Sequence, residues 1–439
     1  MSVNQWKVCK LNHIQEKLLK EQSLRWLWRE CFGDPLEYEN YYFQNVYLGN
    51  TVYMLEYEAG HREEHSLKVL VQDGMKKECF AEGDVCGMLH LNPYFCKVNG
   101  VEVLLHYVVG VATAKEARRQ GVMRTLLSNA LSGLYKAGEP FTYLMPADVR
   151  YYEPFDFVPI CEKEEWKMSA EEIPSSIAEN DVIYTDYNEL KAMFEEDLDC
   201  LLSYVDYSLS DNYSGFVSHG REYFDLLARE KECENGAVIF CFDQAVGIEN
   251  LIGFFAYGRE GEAVFVEQNV LFKTAEWNLT GKEENPHVLA ERERTEEIMQ
   301  GYFGNAAVFQ NDREQKNGLQ ECIREIRCIA SYPYMVRVVH VQSFLKLFAD
   351  CFAEFAENGT RLYVEDPLLF DAVEKCQENN KETLSYTEGV YTFRKKEDTV
   401  IVCRQEISQM EYDVKMTVSE LVCYVFGKKG KKLFFSELV

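Results

Sequence analysis

Seven consecutive residues, Arg118-Arg119-Gln120-Gly121-Val122-Met123-Arg124, set three arginines around a glycine at the start of an apolar-periodic run. A glycine-bearing turn at a helix start presents backbone N–H groups that no intrahelical carbonyl takes up, and nearby arginines add positive charge. That is chemistry for phosphate oxygens. Arginines are unfavourable neighbours for the partial positive charge of a helix N-terminus. Their placement in so acidic a chain therefore points to an anion, with a solvated basic turn as the plain alternative.

The elements that must position this stretch are legible on both sides. Leu104 to Val111 is short, apolar and rich in β-branched residues, the pattern of a buried strand. A polar turn from Thr113 to Gln120 follows. Met123, Leu127, Ala130, Leu131 and Leu134 then recur at three- and four-residue spacing, predicting an amphipathic helix from Val122 to Lys136 that Gly138 and Pro140 end. A second short strand, Phe141 to Met145, completes a strand–turn–helix–strand unit.

Upstream, helical spacing from Ile14 to Phe32 makes Leu18, Leu19, Trp26 and Leu27 candidate inward positions, and Gly33-Asp34-Pro35 is a stop. An aromatic helix is predicted from Tyr38 to Tyr47; Tyr41, Tyr42 and Phe43 read as core. Strands are predicted at Val52–Tyr57, Leu67–Gln72, Cys79–Cys86 with a turn at Gly83-Asp84, and Gly87–Leu91. His61-Arg62-Glu63-Glu64-His65 fits a zinc-peptidase spacing. It lies in a short connection beside Gly60 with no apolar stripe to make a buried helix, so no metal is expected.

Composition bounds the rest. A chain of 439 residues, 47% hydrophobic and 13% aromatic, is long and apolar enough for two or three packed domains. With 46 basic against 73 acidic residues it carries a formal charge of −27, which disfavours nucleic acid and anionic membranes. The same charge would draw a cationic substrate, or serve only solubility. Fifteen cysteines scattered through apolar contexts, with no CxxC pair, read as free thiols in a reducing compartment. No signal peptide or membrane span is expected, and the cytoplasm is the expected location.

After Phe157 the character changes: Glu162 to Glu196 is acidic and weakly periodic. Strands are predicted at Ala237–Phe242, Leu251–Tyr257 and Glu262–Leu271, with a polar insertion over Lys273–Gln320. From Tyr332 a third pattern begins, with a strand at Met335–Val341 and a helix at Phe344–Phe355. Strands at Arg361–Val364, Val390–Arg394 and Thr399–Arg404 and a helix at Val418–Phe426 follow. Leu433 to Val439 is apolar nearly throughout, which predicts a buried chain end.

Arg118 to Met123 resembles the acetyl-CoA pyrophosphate loop of the GCN5-related N-acetyltransferase (GNAT) superfamily, Q/R-x-x-G-x-G/A, with Met123 departing from the last position. Together with Leu144-Met145-Pro146-Ala147 and Tyr152-Glu153-Pro154-Phe155-Asp156-Phe157, it resembles the enhanced-intracellular-survival (Eis) type of bacterial acetyltransferase. The resemblance implies an α+β chain of tandem GNAT folds. These are an N-terminal domain over 1–157, a degenerate second one over 158–329 that lacks the loop, and a sterol-carrier-protein-like domain over 330–439.

It further implies an acetyl-CoA-dependent N-acetyltransferase, without metal, acting on a primary amine of a polyamine- or aminoglycoside-like small molecule or on lysine. A non-catalytic acyl-CoA-binding protein of the same fold is the alternative. By resemblance Arg118, Arg119, Gln120, Gly121, Val122, Met123 and Arg124 hold the donor's pyrophosphate, Val109, Gly110 and Val111 its pantetheine arm, and Ala147 belongs to the same site. Tyr152 is the implied general acid, with Tyr151 in reserve and packing beneath the cofactor as its alternative role. The terminal carboxylate of Val439 is the implied base, and a trimer or hexamer the implied assembly.

Overall fold

The computed structural model describes residues 6–58, 80, 82–170, 182–260, 263–271, 298, 302, 323–369, 388–397, 399–405 and 411–435. The expectations at Leu67–Gln72, the His61–His65 motif, most of Lys273–Gln320 and Val439 lie outside them. The fold is mixed α+β and divides into two compact units, one joining 1–161 to 334–433 and the other joining 162–333 to 434–438. The stretches expected as first and third domains thus share a unit.

In that first unit the strands β1 (Trp6–Leu11), β2 (Thr51–Tyr57), β3 (Val85–Val98), β4 (Val101–Thr113) and β5 (Phe141–Leu144) lie in sheet order β1-β2-β3-β4-β5. All neighbours are antiparallel except β4 and β5. β3 and β4 are joined by Asn99-Gly100, both at positive φ, with Val98 opposite Val101; a two-residue turn of this kind matches the twist of the strands it joins. Residues Met335–Val338 extend the sheet by pairing antiparallel with Leu144–Phe141. Sequence patterning placed two strands where β3 is one, and it did not foresee β1.

Helix α3 (Val122–Lys136) buries Leu127, Ala130, Leu131 and Leu134 as its spacing predicts, while Val122 and Leu126 are buried in place of Met123, which is half-buried. Its first turn packs close to β3, since a Cβ on Gly87 would stand 2.4 Å from Val122 Cγ1. Helix α1 (Ile14–Cys31) corrects the expected inward face. Leu27 is buried, but Leu18, Leu19 and Trp26 are exposed, and the buried residues are Lys17, Leu24, Leu27 and Trp28. Apolar side chains occur on both faces of this helix, so periodicity alone does not select one. The rings of Trp28 and Tyr42, stacked at 4.4 Å, and the Lys17 Nζ bond to the Leu48 carbonyl at 2.7 Å fix the choice. The aromatic helix is α-helical at α2 (Leu36–Tyr41) and then widens over Tyr42–Val46; Tyr41, Tyr42 and Phe43 are core.

Beneath α1, His90 is wholly buried, its Nδ1 2.8 Å from the Tyr42 hydroxyl. Burial, aided by the charge of Lys17, pushes its pKa down to about 3. A histidine depressed from ~6.5 contributes stability that is fully present above the unfolded value and is lost as pH falls towards the folded one, at most ~1.4 kcal/mol per pH unit. Between pH 6.5 and 4 the native chain should therefore lose stability more steeply than His90→Gln. Denaturant midpoints measured across that range check this, and equal slopes would refute it.

The C-terminal part of the first unit carries a four-stranded sheet: Arg361–Glu365 pairs antiparallel with Gly389–Lys396 and parallel with Val414–Thr417, and Thr399–Arg404 forms its far edge. The helix expected at Phe344–Phe355 is broken into Val341–Leu347, a tighter turn at Ala349–Phe352, and Ala353–Asn358. In the second unit Val182–Asp186, Ala237–Asp243, Leu251–Glu260 and Ala263–Leu271 form an antiparallel run. Helices Tyr187–Phe194, Leu198–Ser210 and Arg221–Cys233 belong to the same unit. None of these helices was anticipated.

Candidate active site

The β3–β4 ladder is regular up to His90↔Val109 and resumes at Met88↔Ala112, so β4 carries one residue more than its partner. Gly110, at φ +61°, lies in this bulge. Glycine is required there twice over. The backbone is left-handed, and a Cβ would stand 2.9 Å from Trp28 Cζ3 and 3.5 Å from His90 Cγ. On its other side β4 pairs with β5 only at Tyr107↔Tyr143 among the described residues, while β4 itself runs on to Thr113. Among the described residues the edge that includes Val109, Gly110 and Val111 therefore has no ladder partner from β5, an arrangement suited to pairing with an extended ligand.

Beyond β4 the chain makes a tight turn over Lys115–Ala117, and Arg118 Nε donates to the Thr113 carbonyl at 3.2 Å. Arg119 (φ +63°) and Gly121 (φ +82°) are both left-handed, and Gln120 Nε2 bonds back to the Glu116 carbonyl at 2.8 Å. The first intrahelical bond of α3 is Thr125 N–H to Gly121 O at 2.9 Å, so the amides of Val122, Met123 and Arg124 precede the helical ladder. Gly121 caps α3 with no side-chain hydrogen bond. Alternating left-handed turns and uncapped amides form a concavity suited to phosphate oxygens. Arg118, Arg119, Gln120 and Arg124 are exposed around it, while Val122 is buried and Met123 half-buried. Met123 faces neither way decisively, which accommodates its departure from the motif.

After β5, Ala147 is exposed and Asp148 caps the next turn by accepting from the Arg150 N–H at 2.9 Å. The Arg150 guanidinium, bonded to the same carboxylate, holds Asp148 well below the usual range, at about 2. The two tyrosines separate at this point: Tyr151 is 59% exposed and Tyr152 9%. Burial pushes the Tyr152 phenol up to about 12. Its ring sits edge-on to Phe157 at 5.9 Å, and its carbonyl accepts from the Phe155 N–H at 2.9 Å. Phe155 in turn lies 5.3 Å beneath the guanidinium of Arg124, joining the tyrosine turn to the first turn of α3.

The structure thus brings together the strand-edge, loop and tyrosine candidates in one unit; Val439 lies outside the described residues. Sequence reasoning missed Trp28, which presses on the bulge, and Arg337 with Asp366, which hold the tyrosine turn. A lone arginine in the apolar run Met335 to Val341 was the available signal.

Residues 20–160 match the family model described as an acetyltransferase (GNAT) domain. No curated protein matches the chain. The GCN5-related N-acetyltransferase from Anabaena variabilis is similar over 96% of this chain and 90% of its own, with a TM-score of 0.54 and 14% identity. A conserved protein of unknown function from Enterococcus faecalis, described as a probable N-acyltransferase, is similar over 95% and 89%, with 0.53 and 11%. Eis1 from Mycobacterium abscessus gives 0.47 at 12% identity over 95% and 88%. Residues 20–160 of the chain thus form a GNAT acetyltransferase domain.

Proposed function

We propose that the chain transfers an acetyl group from acetyl-CoA to a primary amine of a cationic small molecule, polyamine- or aminoglycoside-like, or of lysine. The observation that carries this reading is that the bulged edge of β4, the left-handed turn at Arg119–Gly121 and the buried Tyr152 lie within one unit, the last two linked by Arg124 over Phe155. In it the amides of Val122 to Arg124 and the exposed arginines receive the donor's phosphates. The backbone at Val109–Val111 receives its extended arm and polarises the acyl carbonyl. Tyr152 gives its proton to the sulfur as the carbon–sulfur bond breaks.

The attacking ammonium must first lose a proton, and the carboxylate of Val439, directly or through water, is the group assigned to take it. The net charge of −27 favours a cationic acceptor. We read 158–329 as a second GNAT-like fold without a donor loop and 330–439 as sterol-carrier-protein-like, in a cytoplasmic homo-oligomer; these assignments rest on the Eis-type resemblance.

A thiol-release assay with acetyl-CoA and a panel of polyamines, aminoglycosides and lysine peptides tests the reading, using the native chain and one extended beyond Val439. Thiol release with an acceptor is expected from the native chain. From the extended chain we expect acetyl-CoA binding with little turnover. Acetyl-CoA binding without thiol release against every amine would overturn the activity; full turnover by the extended chain would remove the terminal carboxylate from the base role.

A further inference from the structure

Arg337 is the largest wholly buried side chain of the described residues, and each part of its guanidinium is committed. Nη2 donates to Asp366 Oδ1 at 2.7 Å, Nη1 to the Val338 carbonyl at 2.6 Å, and Nε to the Phe155 carbonyl at 2.9 Å. Asp366 is as deeply buried, and its Oδ1 also accepts from the Leu369 N–H at 3.2 Å. On the same turn Asp156 lies 3.9 Å from Arg337 Nη2 and accepts from the Ser419 hydroxyl at 3.0 Å. Residues from three separate C-terminal stretches thus converge on Phe155 and Asp156.

What they hold is a tightly turned piece of chain. Asp156 is a non-glycine residue at φ +62°, in the less populated left-handed region, at the end of the turn Glu153–Phe155. The turn is short and internally bonded: Phe155 N–H reaches Tyr152 O at 2.9 Å and Asp156 N–H reaches Glu153 O at 3.0 Å. A displacement of Phe155 is therefore passed to the backbone of Tyr152, and through the Phe155 ring to Arg124 at the donor loop. A buried ion pair is a costly device if packing alone is wanted, since apolar residues of similar volume serve as well. It is a suitable device where one geometry must be imposed.

We infer that Arg337 and Asp366 are positioning residues for acetyl transfer, fixing the Tyr152–Asp156 turn so that the Tyr152 hydroxyl sits where the leaving sulfur departs. This rests on the reading of Tyr152 as the acid. Neither residue touches a reacting atom. Arg337 sets the turn through the Phe155 carbonyl, and Asp366 holds the guanidinium fork in the one orientation that reaches it.

The test uses the full chain with 3-fluorotyrosine at position 152, in native, Asp366→Asn, Arg337→Lys and Ser419→Ala forms, each shown to be folded by circular dichroism. Asp366→Asn and Arg337→Lys should lower kcat by roughly tenfold to a hundredfold, as a small misplacement of a reacting group does. The KM for acetyl-CoA should change less than kcat does, because the backbone amides of Val122 to Arg124 stay in place and only the Arg124 side chain meets the turn. The fluorine resonance of residue 152 should shift or broaden. Combining Asp366→Asn with Tyr152→Phe should be no slower than Tyr152→Phe alone. An unmoved fluorine resonance overturns the inference whatever the rate does, and so do additive losses in the double variant or a defect confined to KM. If Tyr152→Phe proves inert, the acid assignment falls by itself, and the fluorine resonance still decides whether the pair holds the turn. Should Asp366→Asn or Arg337→Lys fail to fold, Ser419→Ala removes one hydroxyl from Asp156 and supplies the same readout: a moved resonance supports the inference and an unmoved one overturns it.

Discussion

Tyr152→Phe should slow acetyl transfer by roughly 10²- to 10⁴-fold, the span usual for loss of a positioned general acid, while acetyl-CoA affinity stays nearly unchanged. The substitution is clean. The Tyr152 ring, edge-on to Phe157, and its backbone bonds to the following turn are the same in phenylalanine. Among the described residues the hydroxyl has no hydrogen-bond partner to strand, so the folded state loses little. The raised phenol does not disqualify it as an acid. Free tyrosine titrates near ~10 and a free thiol near ~8.5. Burial that takes Tyr152 to about 12 acts on thiols in the same direction: in the same unit desolvation, partly offset by a backbone hydrogen bond, pushes Cys86 up to about 12. A thiolate forming in a water-poor place is raised in the same direction as the phenol, so burial does not by itself make the proton transfer from Tyr152 more uphill. A group titrating near 12 remains protonated through the working range, so Tyr152 contributes no alkaline limb to the kcat profile below about pH 10. Parallel kcat and acetyl-CoA binding measurements check the prediction; unchanged kcat in the phenylalanine variant would remove Tyr152 from the reaction.

The parts of this site legible in the sequence were those built from neighbouring residues. The loop from Arg118, the helix behind it and the flanking strands depend on local periodicity and on one left-handed glycine, and they occur close to their expected bounds. Where periodicity was ambiguous the reading failed, as at α1, whose exposed Leu18, Leu19 and Trp26 repeat as regularly as its buried Leu24, Leu27 and Trp28. In the second unit Leu198, Leu201, Leu202, Val205 and Leu209 keep helical spacing and are all buried, but the acidic residues before them obscured the pattern. Contacts distant in sequence left almost no trace. Arg337 announces itself as a charge in an apolar strand, yet nothing in the order of residues says that its partners are Phe155 and Asp366. The bulge at Gly110 depends likewise on which strand lies beside it.

That bulge sets the second large effect. Gly110→Ala should destabilise the first unit by about 2–5 kcal/mol, combining about 1–2 for a β-carbon in left-handed backbone with about 1–3 for overpacking. The second part arises because the new methyl would meet Trp28 Cζ3 at 2.9 Å. The ring has nowhere to go: it is 2% exposed, stacked on Tyr42 at 4.4 Å, and tied by Nε1 to Asp34 at 2.7 Å. Gly121 is the internal comparison. It is equally left-handed at φ +82°, but a Cβ there meets nothing within 4 Å, so Gly121→Ala should cost only the backbone part, about 1–2 kcal/mol. Denaturant unfolding of the two variants separates strain from crowding. A larger loss at Gly121 than at Gly110 would mean that Trp28 yields and that the bulge is not braced by α1. However the methyl is accommodated, the backbone of the bulge must shift. That would move the strand edge at Val109–Val111, so the Gly110 variant should lose acetyl-CoA affinity even in the fraction that stays folded.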